Sequence, residues 1–389
     1  MRQTDYLDRI IENEIHNNNL AGANITLIQN DKVLYRRSYG MADIERSIPM
    51  SHNTIFRLFS MSKPVTTVAA LILMERGIID LLDPVSKYLP TYQNQMVREA
   101  DGTLRPAKTT MLLRDLLNMT SGLSYPDATP IGELVGGVFD KMCDGQRKGS
   151  GTRTVDLALE LGKLPLCYDP GTHWQYSTSA DVLGAVIEIA SKMRFSEFLE
   201  KEIFAPLGMK DTGFYVPNDK RDRFAQLYRC DNLGIRPEDH ENLGIEELYD
   251  HLPNFESGGA GLVSTIDDYS RFATMLLHGG TYNGIRILSK RSVEFMRTPA
   301  LDYNAFQADQ DWYSLKGYNY GNLVRIMERP CDNGAASVIG EYGWDGWVGT
   351  YFIINPADNF IMLYFINRCD TGCNDVTRKL KSIAYSLIS

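Results

Sequence analysis

The sequence predicts an α/β protein of the α+β kind: one antiparallel sheet built from both chain ends, flanked by helices, with a mostly helical region inserted. Three observations carry this. Each end pairs a helical pattern with two strand-like segments around a turn. The middle of the chain is dominated by helical periodicity. Layered packing of a single sheet under helices is the economical way to bury both patterns.

At the N-terminus, "YLDRIIENEIHNN" places Leu7, Ile10, Ile11 and Ile15 at helical spacing. "ANITLIQNDKVLYRRSYGMA" then reads as two strands joined at Asn30-Asp31, a hairpin signal. "FRLFSMSKPVTT" follows and leads into the apolar run "VAALILMER", with Gly77 as its C-terminal cap. From 83 to 284 the segments "TMLLRDLLNM", "TVDLALELGKL", "ADVLGAVIEIASKM", "FSEFLEKEIFAPLGM" and "TIDDYSRFATMLLHGG" read as helices between loops. The C-terminal part mirrors the start. "GTYFIINPADNFIMLYFINR" gives two apolar strands around Pro356-Ala357-Asp358-Asn359, and Val376, Leu380, Ile383 and Leu387 share one helical face. The expected division is therefore a discontinuous sheet domain, 1–82 with 285–389, around a helical domain, 83–284.

Bulk composition narrows the function classes. The chain has 389 residues, 43% hydrophobic and 23% charged, with a net charge of −9. It carries no basic cluster, which argues against nucleic acid or an anionic membrane as the partner. The first residues contain no apolar stretch of a secretory leader, and no run of about 18 apolar residues predicts a spanning helix. A cytoplasmic location and free thiols at the six cysteines are the expectations. Cys369 and Cys373, in "CDTGC", read as surface thiols after a strand.

The six histidines form no metal-ligand pattern, and no metal or cofactor is expected. "EDHENLGIEELYDH" reads as a solvated acidic loop. No G-x-S-x-G elbow, phosphate loop or dinucleotide fingerprint occurs. "SMSK" remains. Positions i and i+3 share a helix face, so Ser60 and Lys63 can meet, whereas Ser62 points about 100° away. Pro64 is tolerated only in a first turn, so the helix must begin close to Ser60. The N-terminal backbone N–H groups and the dipole there favour a developing oxyanion. Lys63 would serve as base only if burial lowers it; neutrality at pH 7 costs a free lysine about 4 kcal/mol. Tyr176, in "HWQYSTSADVLG", precedes an apolar helix and could shuttle protons as phenolate or phenol. "GEYGWDGWVG" opens the last hairpin with glycines of the kind that let a ligand approach a strand.

Taken in order, Ser60-x-x-Lys63, Tyr176-x-Thr178 and Trp344-Asp345-Gly346 resemble the serine β-lactamase and penicillin-binding-protein-like (DD-peptidase-like) family, in its class C and family VIII esterase branch. "LLNMTSGL", "PGTHWQYS", "PLGMKDTGF" and "SGGAGLVST" extend the resemblance over nearly the whole chain. It implies Ser60 as acyl nucleophile, Lys63 as base, Tyr176 as partner base and later acid, and the backbone N–H groups of Ser60 and Trp347 as oxyanion hole. It implies Thr178, Trp344, Asp345 and Gly346 as substrate-binding positions. Two departures bear on substrate: Thr178 replaces an asparagine, and Trp344-Asp345-Gly346 replaces Lys-Thr-Gly. Met119 also stands where a histidine is common, a packing difference. Loss of that lysine and gain of an acid imply a small neutral or cationic ester or amide rather than an anionic antibiotic. A β-lactamase, a D-Ala carboxypeptidase, an acyltransferase and an inactive ligand-binding relative are the competing readings. The oligomeric state is left open.

Overall fold

A computed structural model describes residues 2–388 except 233, 239–241 and 246–248. Its centre is an eight-stranded antiparallel sheet. In chain order the strands are β1 (Gly22–Gln29), β2 (Lys32–Asp43), β3 (Ile48–Pro49), then, after the small pair β4 (Ile55–Arg57) and β5 (Val263–Thr265), β6 (Tyr318–Gly321), β7 (Val324–Met327), β8 (Tyr342–Asp345), β9 (Tyr351–Asn355) and β10 (Phe360–Ile366). The spatial order is β6-β7-β8-β9-β10-β1-β2-β3. The two terminal hairpins thus join through β1 and β10, with Ala23 opposite Ile366 and Gln29 opposite Phe360.

The first hairpin turn follows from its residues. Asn30 and Asp31 adopt φ of 49° and 62°, the left-handed pair that a two-residue turn requires and that Asn and Asp tolerate best. The apolar runs of β9 and β10 exist because both sheet faces are covered. Tyr351, Ile353, Met362 and Tyr364 point outward beneath α1 (Thr4–His16) and the C-terminal helix Asp375–Tyr385, whose Leu7, Ile11 and Leu380 are buried. Phe352, Ile354, Leu363 and Phe365 point to the other face, where they share one core with α2 (Ser62–Glu75), α3 (Ser179–Ser191) and α4 (Ile266–Leu277). Although α4 belongs to the stretch expected to be inserted, Tyr269 on it packs edge-on against Phe352 at 5.1 Å.

One long helix, Pro130–Arg147, was not anticipated from the sequence. Its glycines at 132, 136, 137 and 145 depress helix propensity. Tertiary packing of Ile131, Val135, Phe139 and Met142 compensates, and Thr129 caps the start by accepting the Gly132 N–H at 3.1 Å. Two further expectations need correction. Cys369 is buried and Cys373 half-buried, because the chain after β10 is tied back to the protein: the Cys369 N–H bonds Tyr228 O at 2.9 Å and the Thr371 N–H bonds Trp347 O at 3.0 Å. The acidic loop lies partly outside the described residues; of the rest, Glu238, Ile245 and Tyr249 are buried, Glu238 against Arg229. No described helix is long and apolar enough to cross a membrane.

Candidate active site

The site is organised by the way β4 hands over to α2. Leu58 N–H bonds Leu262 O at 2.9 Å, continuing the β4–β5 pairing. Phe59 then takes φ +44°, a left-handed conformation that is costly for a bulky residue and is held here by packing edge-on to Trp347 at 5.0 Å. A 3-10 turn, Phe59–Met61, follows, and only then does α2 begin. Ser60 therefore stands one tight turn ahead of the α-helix, not in its first α-helical position. Pro64 falls in the first turn of α2, where it removes no helical bond. At the other end Gly77, at φ +65°, lets Ile78 N–H close on Leu73 O at 3.0 Å.

Lys63 lies fully buried under Ser60. Its Nζ donates to Ser60 Oγ at 3.0 Å, to Tyr125 Oη at 3.1 Å and to Gly259 O at 2.9 Å. Those three contacts account for the three donors of an ammonium. Burial is nonetheless the larger influence and brings the amine down to about 7, against the pull of Asp181 and Asp345. Ser62, by contrast, is wholly buried on another side of the helix, where its Oγ accepts the Leu262 N–H at 3.1 Å.

Tyr176 reaches the same place from the segment leading into α3. Its hydroxyl accepts the Trp344 Nε1–H at 3.1 Å, and the side chain lines the same cavity as Ser60. Lys63 Nζ sits 4.5 Å from the centre of its ring. Burial raises the phenol well above its usual value, more than Ser60 and Trp344 lower it, so the group is a phenol at neutral pH and not a phenolate. Tyr125, half-buried like Tyr176 and also raised by desolvation, packs 5.5 Å from the Tyr176 ring. The sequence reading passed over it, although it stands two residues beyond "LLNMTSGL".

The end of β8 completes the constellation. Gly346 is required because a Cβ there would meet Leu58 O at 2.2 Å. Its N–H bonds Thr350 O at 2.7 Å, and the Thr350 hydroxyl bonds Leu58 O at 3.1 Å, which pins the strand end to the chain entering Ser60. Gly346 is thus a spacer rather than a group facing the cavity. Thr178 also departs from expectation: it is completely buried at the start of α3, with its hydroxyl turned to Ser124 O at 3.3 Å. It does not line the site.

Ser60 opens into a cavity of about 540 Å³ whose walls include Phe59, Tyr125, Tyr176, Trp312, Trp344 and Trp347. Two acids reach it, and both are compensated. Asp345 pairs with Arg325, which is 1% exposed, and also accepts the Cys373 N–H at 3.1 Å. Asp370 pairs with Arg229 and accepts the Trp347 Nε1–H at 2.6 Å. A bare Asp345 would repel anions and attract amines, as expected from the sequence; here Arg325, on the neighbouring strand, cancels its charge. Two of the described histidines are occupied elsewhere: His173 stacks on Tyr168 and His278 contacts Asp31.

This geometry can be set beside known proteins. The family model described as Beta-lactamase matches residues 7–382. Protein Rv1367c of Mycobacterium tuberculosis is 34% identical over 362 residues, covering 90% of this chain and 86% of its own length. Esterase EstB of Burkholderia gladioli is 28% identical over 400 residues, covering 98% of this chain and 94% of that one. Among solved structures, EstCE1, described as a hydrolase with promiscuous acyltransferase activity, superimposes with a TM-score of 0.82 at 25% identity, covering 100% of this chain and 98% of that one.

Proposed function

The chain belongs to the Beta-lactamase family, and from that premise we propose that it is a serine hydrolase acting on small neutral esters through an acyl-enzyme on Ser60. One observation carries the reading: a buried amine, lowered to about 7, donates to the Ser60 hydroxyl at 3.0 Å. In its neutral form Lys63 takes the Ser60 proton as Oγ attacks the acyl carbon. The backbone N–H groups of Ser60 and Trp347 receive the negative charge that develops on the carbonyl oxygen; one such donor is worth about 10²–10³ in kcat. Tyr176 passes its phenolic proton to the leaving alkoxide and regains one from the Lys63 ammonium. Water, deprotonated by the same pair, then releases the acid and frees Ser60.

The substrate class follows from the cavity. Its aromatic walls and paired acids favour a neutral acyl group over an anionic antibiotic, and also over a cation. Trp344 occupies the position where a lysine would be needed to hold a carboxylate. EstB is named an esterase, which supports the same choice. Passage of the acyl group to a small alcohol in place of water is a second reading, favoured by the apolar walls and by the description of EstCE1.

The test compares p-nitrophenyl butyrate with a chromogenic cephalosporin on one preparation, together with mass spectrometry after a fluorophosphonate probe. Ester turnover and an adduct on Ser60, absent in Ser60→Ala, are expected. Better turnover of the cephalosporin would overturn the ester reading; no adduct under any condition would favour an inactive binding protein.

A further inference from the structure

Next to Lys63 lies a carboxylate to which the chemistry above assigns no task. Asp181 is in the first turn of α3, five residues after Tyr176, and is 4% exposed. A buried acid is costly unless its oxygens are satisfied. Here one oxygen accepts the Gly259 N–H at 3.0 Å and the Ser257 hydroxyl. Donors alone are what an ionised carboxylate requires. The carbonyl of that same glycine accepts Lys63 Nζ at 2.9 Å. A Cβ on Gly259 would come within 3.0 Å of Asp181 Oδ2 and 3.1 Å of Tyr125 Oη. One residue without a side chain therefore separates the carboxylate from the groups around the amine.

Other groups face this pair. Tyr125 and Tyr176 flank Lys63, and Tyr92 lies within the field of Asp181; desolvation holds all three as neutral phenols. Asp345 approaches from β8 but is paired with Arg325. Asp181 is the acid whose charge is opposed by no arginine in the contacts above.

We propose that Asp181 is a positioning residue for Lys63: it fixes the Gly259 carbonyl on the amine and supplies a counter-charge that sets the pH at which Lys63 becomes a base. The inference rests on Lys63 acting as the base in the reading above. It separates two demands on the lysine, since desolvation frees the amine to accept a proton while Asp181 keeps that acceptance within reach of neutral pH.

The experiment measures the rate of fluorophosphonate attachment to Ser60 against pH, by intact mass, in the full chain and in Asp181→Asn and Ser257→Ala. In the wild type the rate should rise through about pH 7. Asn keeps the shape and loses the charge, so the midpoint should fall by about one pH unit. At pH 6 the rate relative to each protein's own plateau then rises about fivefold. Ser257→Ala removes a donor that favours the Asp181 carboxylate and should move the midpoint the same way by less. A lower plateau with an unmoved midpoint in both variants would mean that Asp181 only packs, and would overturn the proposal. If Asp181→Asn fails to fold, the Ser257→Ala midpoint decides alone. Labelling of wild-type Ser60 without any rise through neutral pH would instead sink the reading of Lys63 as base, and the present inference with it.

Discussion

Ser62 Oγ accepts the backbone N–H of Leu262 at 3.1 Å, from a side of α2 that does not face Ser60. Two serines one residue apart thus serve different ends: one meets the cavity, and the other fastens α2 to the strand that pairs with β4. Ser60→Ala should abolish probe attachment and ester turnover with little change in stability. Ser62→Ala leaves a buried N–H without its acceptor and should cost about 1–3 kcal/mol, read as a lower denaturant midpoint, while Ser60 still labels. A dead but fully stable Ser62→Ala would exchange the two assignments.

Lys63→Arg gives a second expectation. An arginine stays protonated throughout the accessible range, so turnover should fall by at least about 10² at every pH between 5 and 9. The same amine has a consequence for stability. Its native value, about 7, lies below its ordinary 10.5. Between those values the unfolded chain binds more protons than the folded one, so stability on this group's account rises with pH across that window. Urea midpoints of the wild type should therefore gain on those of Lys63→Met between pH 7 and pH 10; a constant difference would contradict a depressed amine.

Tyr176→Phe and Tyr125→Phe should behave differently. Loss of the Tyr176 hydroxyl removes a proton carrier and should lower kcat by about 10²–10⁴. Loss of the Tyr125 hydroxyl removes one of three contacts to Lys63 and should cost about tenfold or less, the value of one ordinary hydrogen bond. Steady-state kinetics on a neutral ester distinguish them; equal losses would argue that both tyrosines carry protons.

The Asp345–Arg325 pair predicts a charge response. Arg325→Met strands Asp345 at the cavity wall and should destabilise the fold by about 3–5 kcal/mol, the usual cost of breaking a buried pair on one side. Where the variant still folds, its preference for a trimethylammonium ester over the uncharged isostere should rise relative to wild type. Unchanged selectivity would show that Asp345 does not act on the substrate.

Much of this arrangement was legible because it depends on short-range rules. The hairpin at Asn30-Asp31, the cap at Gly77, and the i, i+3 relation of Ser60 to Lys63 each need only a few residues of context. What escaped depends on neighbours far along the chain. Arg325 reaches Asp345 only because the sheet sets Arg325 opposite Gly343. Asp181 was in view after Tyr176, but its partners Ser257 and Gly259 come from the stretch before β5. Thr178 was misplaced because its position beside Tyr176 says nothing of which way it turns once α3 starts and Ser124 offers a carbonyl.

The join between β1 and β10 also imposes an order on how the protein is made. The first hairpin leaves the ribosome long before its partner strand, since Ala23 must await Ile366. At about 5–20 residues per second this interval is about 20–70 s. Throughout it, the buried-to-be edge of β1 and the apolar underside of α1 have no mate and are open to other strands. Nascent chains should therefore depend on holding factors until the final hairpin emerges, and loss of the last strands should trap the whole chain as aggregate rather than yield a folded fragment.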